Sequence, residues 1–157
     1  MAAMKNPLDL NGFIQIAIIV EDIDQARKEW AELLNVPVPA IVEQPKPQGS
    51  IPGLTYRGKE ASYGLKLAVI NAPQGFIIEL HQMTDDCDST FREFVRKHGY
   101  GVHHLGFKVG DRRDAVVEEL EQRGYEMRTV GIYPDGSWTV ADTEDVLGVN
   151  LNIKPHL

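Results

Sequence analysis

The sequence predicts an α+β fold built from two modules of one plan, each a strand, a helix and then two or three further strands. Two internal echoes and one pattern of alternation support this. The stretch Gln15-Ile16-Ala17-Ile18-Ile19-Val20-Glu21-Asp22 returns as His104-Leu105-Gly106-Phe107-Lys108-Val109-Gly110-Asp111, displaced by 89 residues from 15 to 104. At that displacement Val20 meets Val109, Asp22 meets Asp111 and Ala26 meets Ala115. Gly75-Phe76-Ile77-Ile78-Glu79-Leu80 returns as Gly148-Val149-Asn150-Leu151-Asn152-Ile153, displaced by 73 residues from 75 to 148. All four stretches alternate an apolar face with a more polar one, the period of a β-strand.

Taken in order, the first strand leads into a helix over Asp22 to Leu34. Ile23, Ala26, Trp30, Leu33 and Leu34 keep helical spacing, and Asp22 with Gln25 resembles a capping box. Strand candidates follow at Val38–Glu43 and Tyr63–Ile70. Between them Pro45 to Gly53 reads as a loop from its Pro and Gly content. The unequal displacements place the extra length of the first module in Pro37 to Gly64. After the strand through Leu80, Asp88 to Gly99 reads as a connecting helix with Phe91, Phe94 and Val95 as its apolar stripe. In the second module a helix is expected over Arg112 to Arg123, carried by Ala115, Val116, Val117 and Leu120 and stopped at Gly124. Strands at Glu126–Gly131 and Trp138–Asp142 precede the last one. The expectation is a single domain over 1–157, with module one at about 13–83, the connecting helix at about 88–99 and module two at about 102–154.

Composition narrows the partners. The 157 residues are 43% hydrophobic and 25% charged, with a net charge of -7, an ordinary globular balance. An acidic chain without a basic tail is a poor general nucleic-acid or anionic-membrane binder, though it leaves room for a local basic pocket. Cys87 is the single cysteine, which excludes an internal disulfide and a Cys-rich zinc site. The opening residues Met1 to Pro7 lack an apolar stretch of signal-peptide length, and no run approaches 18 apolar residues. A cytoplasmic, reduced protein with a small-molecule substrate is expected.

The polar faces of the echoed strands carry the candidate chemistry. Gln15, Glu79, His104 and Asn152 occupy equivalent places in the two repeats. If the repeats pack as symmetry mates, these four N and O donors converge, as a metal requires. A polar side chain on one strand face is more often simply solvated; the joint placement argues against that here. His81 shares the face of Glu79 and is expected at the rim. His103 alternates away from His104 and reads as structural. His98 suits a helix C-terminus, and His156 lies in the tail.

These residues resemble the vicinal oxygen chelate superfamily, which includes glyoxalase I, methylmalonyl-CoA epimerase, extradiol dioxygenases and bleomycin-resistance proteins. Ile14 to Asp22 looks like its opening strand. Gly99-Tyr100-Gly101-Val102-His103-His104-Leu105-Gly106-Phe107-Lys108-Val109 looks like the opening of the second module in the epimerase branch. Asp142-Thr143-Glu144 followed by Leu147-Gly148-Val149 looks like the closing strands of glyoxalase-like members. The resemblance implies paired βαβββ modules whose curved sheet encloses a cleft, and a homodimer. It also implies a divalent metal (Zn, Ni, Co or Mn) held by Gln15, Glu79, His104 and Asn152. Asn152 departs from the usual glutamate and cannot take a proton at neutral pH.

The function so implied is a metal-dependent isomerase or lyase of glyoxalase or epimerase type, moving a proton beside a carbonyl with Glu79 as the catalytic carboxylate. His81, Tyr63 and Asn150 are the candidate substrate contacts. The alternative is a non-catalytic small-molecule-binding module with a degenerate metal site, in which Trp138, Tyr133 and Tyr63 supply stacking surface. An extradiol dioxygenase comes third, because Gln15 replaces one of its usual histidines. A CoA substrate would need a local basic patch, for which Arg57, Lys59, Lys66, Arg92, Arg96 and Lys97 are candidates. The segment Gly49–Gly64, with Tyr56 and Arg57, is expected either to cover the cleft or to stand in solvent.

Overall fold

A computed structural model describes residues 4–45, 53–133 and 136–156. The opening residues 1–3, most of the Pro45–Gly53 loop and the side chain of Tyr133 lie outside them. Among the described residues ten strands form one sheet, curled into a half-barrel. The first module contributes β1 (Phe13–Ile19), α1 (Ile23–Leu34), β2 (Val42–Gln44), the short strands β3 (Thr55–Tyr56) and β4 (Lys59–Glu60), β5 (Leu65–Asn71) and β6 (Ile77–Met83). Helix α2 (Thr90–His98) follows. The rest comprises β7 (Gly101–Lys108), α3 (Arg113–Gln122), β8 (Met127–Tyr133), β9 (Gly136–Ala141), the one-turn helix α4 (Glu144–Leu147) and β10 (Asn150–Lys154). The strand order is β2-β5-β6-β1-β7-β10-β9-β8-β3-β4.

The echoes reappear as geometry. β1 pairs in parallel with β6, and β7 pairs in parallel with β10. The two repeats meet where β1 and β7 run antiparallel at the centre of the sheet. The helices end where local chemistry says they should. Asp22 caps α1 by accepting from the Gln25 N–H, and Ser89 caps α2 by accepting from the Arg92 N–H, each satisfying an N–H the helix itself leaves unpaired. Gly99 closes α2 at φ 80°, a conformation that favours glycine.

One sheet face carries α1 and α3. Ile18, Ile78 and Leu80 pack under α1 through Ile23, Ala26 and Trp30. Leu105, Phe107, Leu151 and Ile153 pack under α3 through Val116 and Leu120. The other face receives α2, whose Phe91 and Phe94 join Ile19, Leu54, Tyr63 and Leu65.

Two expected elements change. The strand expected at Val38–Glu43 shrinks to Val42–Gln44. Pro37 and Pro39 flank Val38, and a proline gives no N–H to a ladder. The Gly49–Gly64 segment holds a hairpin in its described part, and β3 pairs with β8 of the second module. That hairpin ties module one to module two at the far end of the sheet.

Candidate functional site

Gln15, Glu79, His104 and Asn152 come together on the face opposite α1 and α3. Their strands put them in two adjacent rows. Glu79 of β6, Ala17 of β1 and His104 of β7 lie in register. Gln15 of β1, Gly106 of β7 and Asn152 of β10 form the next row. In each row the residue between the polar groups is small, so side chains from non-adjacent strands can meet. A Cβ on Gly106 would lie 2.3 Å from Gln15 Oε1 and 2.7 Å from Gln15 Cβ. Gly106→Ala is therefore expected to push Gln15 aside and cost about 1–3 kcal/mol, read as a lower denaturation midpoint.

The hydrogen bonds form one chain. Gln15 Nε2 donates to Glu79 Oε2 at 2.6 Å. Asn152 Oδ1 accepts from the Thr139 backbone N–H at 3.0 Å, which turns Asn152 Nδ2 toward Gln15 Oε1 at 3.3 Å and His104 Nε2 at 3.4 Å. With His104 Nε2 accepting, its Nδ1–H donates to His103 Nδ1 at 2.8 Å, and His103 Nε2–H donates to Thr90 Oγ1 at 3.1 Å. Each tautomer follows from its neighbour. Both histidines reach the same face because the β1–β7 register shifts between Ala17 and Ile18. Such a bulge breaks the simple alternation of side chains, so His103 does not point away from His104 as alternation alone predicts.

The electrostatics separate one charged group from its neutral neighbours. Burial by itself raises the Glu79 pKa, but the His81 ring, Lys154 and the Gln15 amide outweigh it and hold the carboxyl below its ordinary value. Glu79 is therefore an ionised carboxylate inside the fold. Burial first, and then the neighbouring His103, His81 and Lys154, keep His104 well below the ordinary imidazole range. Burial likewise brings His103 down to about 3. Both are neutral rings.

His81 stands beside this group, its Nε2 2.8 Å from Glu79 Oε1 and its ring stacked on Phe91 at 5.3 Å. It is 5% exposed; its Nδ1 has no hydrogen-bond partner among the described residues, and its Nε2 approaches Glu79 without hydrogen-bond alignment.

The two other candidate contacts stand apart. Tyr63 is buried, and its hydroxyl accepts from the Trp138 indole N–H. It donates to Thr129 Oγ1 at 2.7 Å, because Thr129 itself donates to the Thr55 carbonyl. That hydroxyl has a complete set of partners within the protein. Tyr63→Phe is expected to cost about 1–3 kcal/mol and to leave ligand affinity unchanged. A matched pair of thermal melts with and without ligand checks both. Asn150 Nδ2 donates to Glu144 Oε2 at 3.0 Å and to the His103 carbonyl at 3.2 Å.

Glu144 belongs to a second polar network that the sequence did not reveal. Arg128 is 2% exposed and lies 3.0 Å from Glu144 and 3.0 Å from Asp142. Lys97 and His98 of α2 each reach Glu144 at 3.2 Å. Arg57 of the hairpin bonds Glu93 of α2, and the Tyr56 hydroxyl donates to the same carboxylate. The network fastens α2 across the sheet. It also occupies the expected basic patch. Arg57 and Lys97 are committed here, while Arg92 pairs with Asp86 and Arg96 with Asp88.

The donor set does not fit a divalent metal. Glu79 Oε2, Gln15 Oε1 and His104 Nε2 each already face an N–H of Gln15 or Asn152, Glu79 Oε1 faces His81, and the fourth position offers a donor. No group of three or more His, Cys, Asp or Glu side chains suited to a metal ion occurs among the described residues. No helix among them is long and apolar enough to cross a membrane.

Comparison with known proteins agrees with this architecture. The family model described as Glyoxalase/Bleomycin resistance protein/Dioxygenase superfamily matches residues 14–141. Methylmalonyl-CoA epimerase from Mycobacterium tuberculosis superposes with a TM-score of 0.61 at 20% identity, covering 93% of this chain and 88% of that one. A hypothetical protein from Bacillus halodurans gives 0.62 at 17% identity, covering 90% and 91%. A variant of Streptomyces coelicolor methylmalonyl-CoA epimerase in complex with 2-nitronate-propionyl-CoA gives 0.56 at 18% identity, covering 93% and 97%. No curated protein matches the sequence significantly.

Proposed function

The chain belongs to the glyoxalase/bleomycin resistance protein/dioxygenase superfamily, and from that premise we propose that it is an epimerase-like enzyme moving a proton at the carbon beside a carbonyl. The observation that carries this reading is the Glu79–His81 pair. Glu79 is held ionised in a buried, otherwise neutral cluster yet keeps 14% of its side-chain surface accessible. A carboxylate that stays ionised at neutral pH and keeps one edge accessible is in the protonation state needed to take a proton from carbon, with the imidazole beside it to orient it. In the proposed step the substrate carbonyl oxygen competes with His104 Nε2 for the Asn152 N–H. That N–H then stabilises negative charge as it develops on the oxygen. Glu79 receives the proton, and His81 holds the protonated and ionised forms in one place.

The substrate class is a small carbonyl compound. A polyanionic CoA carrier is less well served, because four of the six candidate basic residues are engaged by acidic partners. The test is exchange of the carbon-bound proton for solvent deuterium, followed by proton NMR with chelator present. Methylmalonyl-CoA and a set of small α-substituted carbonyl compounds are the probes. Exchange with any of them well above the buffer rate supports the reading, and buffer-rate exchange with all of them overturns it.

A binding module without turnover is the second reading. The observation favouring it is that Gln15, His104 and Asn152 are neutral and satisfy one another. Compounds that raise the melting temperature but show no exchange would support it over the first.

A further inference from the structure

We propose that the Asn152 amide takes the place of a cation at this centre, so that the protein holds no resident divalent metal and a carboxylate at position 152 would favour one. The inference stands on the side-chain arrangement, whether or not a proton is moved there. Gln15 Oε1 and His104 Nε2 both point their lone pairs at Asn152 Nδ2. A metal ion draws such atoms together with positive charge, and here an amide N–H does it with the positive end of its dipole.

The amide cannot easily turn over. Asn152 Oδ1 holds the buried N–H of Thr139 at 3.0 Å. Reversal would set two donors against each other and leave a buried N–H unsatisfied, at about 1–3 kcal/mol. The charge balance points the same way. Glu79 supplies the one negative charge of the cluster, and it already faces His81 at 2.8 Å and the field of Lys154. Two more positive charges would have no counterpart in a buried site. A glutamate at 152 would reverse both conditions. One oxygen could keep the Thr139 N–H, and the other would present a charged acceptor where a donor now stands.

The experiment is metal analysis of the purified full chain, with isothermal titration of zinc and manganese into chelator-treated protein. Wild type is expected to carry substoichiometric metal and to show no zinc-induced rise in melting temperature. Asn152→Glu is expected to bind one zinc per chain about 10- to 100-fold more tightly than wild type. Its melting temperature should rise with zinc, and His104→Ala in the same background should remove both effects. Stoichiometric metal in wild type, lost in His104→Ala, would overturn the proposal. So would a folded Asn152→Glu that binds zinc no better than wild type. Asn152→Asp carries the same comparison if the glutamate variant fails to fold, and the wild-type measurement decides if neither does. Absence of proton exchange would leave these outcomes unchanged, so the two proposals fail separately.

Discussion

Arg128→Leu is expected to lower the stability of the fold by about 3–5 kcal/mol, the range for removing one partner from a buried ion pair. The guanidinium is 2% exposed, 3.0 Å from Glu144, 3.0 Å from Asp142 and 3.9 Å from Glu93. Leucine would fill part of the volume and leave three carboxylates facing one another. Glu144 is the critical one, with 3% of its side-chain surface accessible. Lys97 and His98 would remain near it, but both are substantially exposed and screened by water. Because Glu93, Lys97 and His98 all lie on α2, loss of the guanidinium also loosens the helix over the candidate site. In denaturant the midpoint should fall with an unchanged slope. Arg128→Lys should recover only part of the loss, since an ammonium cannot reproduce the planar fork to two carboxylates.

The same network sets an acid limit. Burial raises the pKa of Glu144, but Arg128, His98 and Lys97 overcome it and bring it to about 2, against an ordinary value of 4.5. A group depressed in the folded state contributes stability above its unfolded pKa and loses it as pH falls toward the folded one. Wild type should therefore lose this contribution between about pH 4.5 and 2. In Arg128→Leu that part of the stability–pH curve should flatten, because the main depressing partner is gone. Chemical denaturation across the acid range checks this.

The repeat was the most informative feature of the sequence. Equivalent strand positions in two echoes brought Gln15, Glu79, His104 and Asn152 to one face, and the sheet joins them through β1 and β7. Helix ends were legible because their causes are local, as at Asp22 and Gly99. What stayed hidden depends on distant backbone. The bulge that turns His103 beside His104 arises from pairing with β1. The orientation of the Asn152 amide is decided by one N–H on β9. Arg128 on a strand reads as a solvated charge until α4 and α2 close over it. The β3–β4 hairpin consists of two-residue strands, too short to show a period.

Glu79→Gln is expected to reduce proton exchange about 10²- to 10⁴-fold, the usual contribution of a positioned acid or base. The substitution preserves shape. The glutamine oxygen can still accept from Gln15 Nε2, which now reaches Glu79 Oε2 at 2.6 Å. The new amide nitrogen would face His81, which now sits 2.8 Å from Glu79 Oε1. The fold holds the Glu79 pKa below its ordinary value, so its charge is net stabilising there, and Glu79→Gln should lower stability modestly as exchange falls. The size of the loss separates the roles: a proton carrier loses exchange by that factor in a variant that is still folded, whereas a structural carboxylate loses it only in proportion to the folded fraction. Exchange within a few-fold of wild type in a folded Glu79→Gln would show that another group carries the proton. His81→Gln then separates the pair. If His81 positions the carboxylate, its loss should slow exchange less than loss of Glu79 itself. If the imidazole takes the proton directly, His81→Gln should be the more damaging change while Glu79→Gln keeps most of the rate.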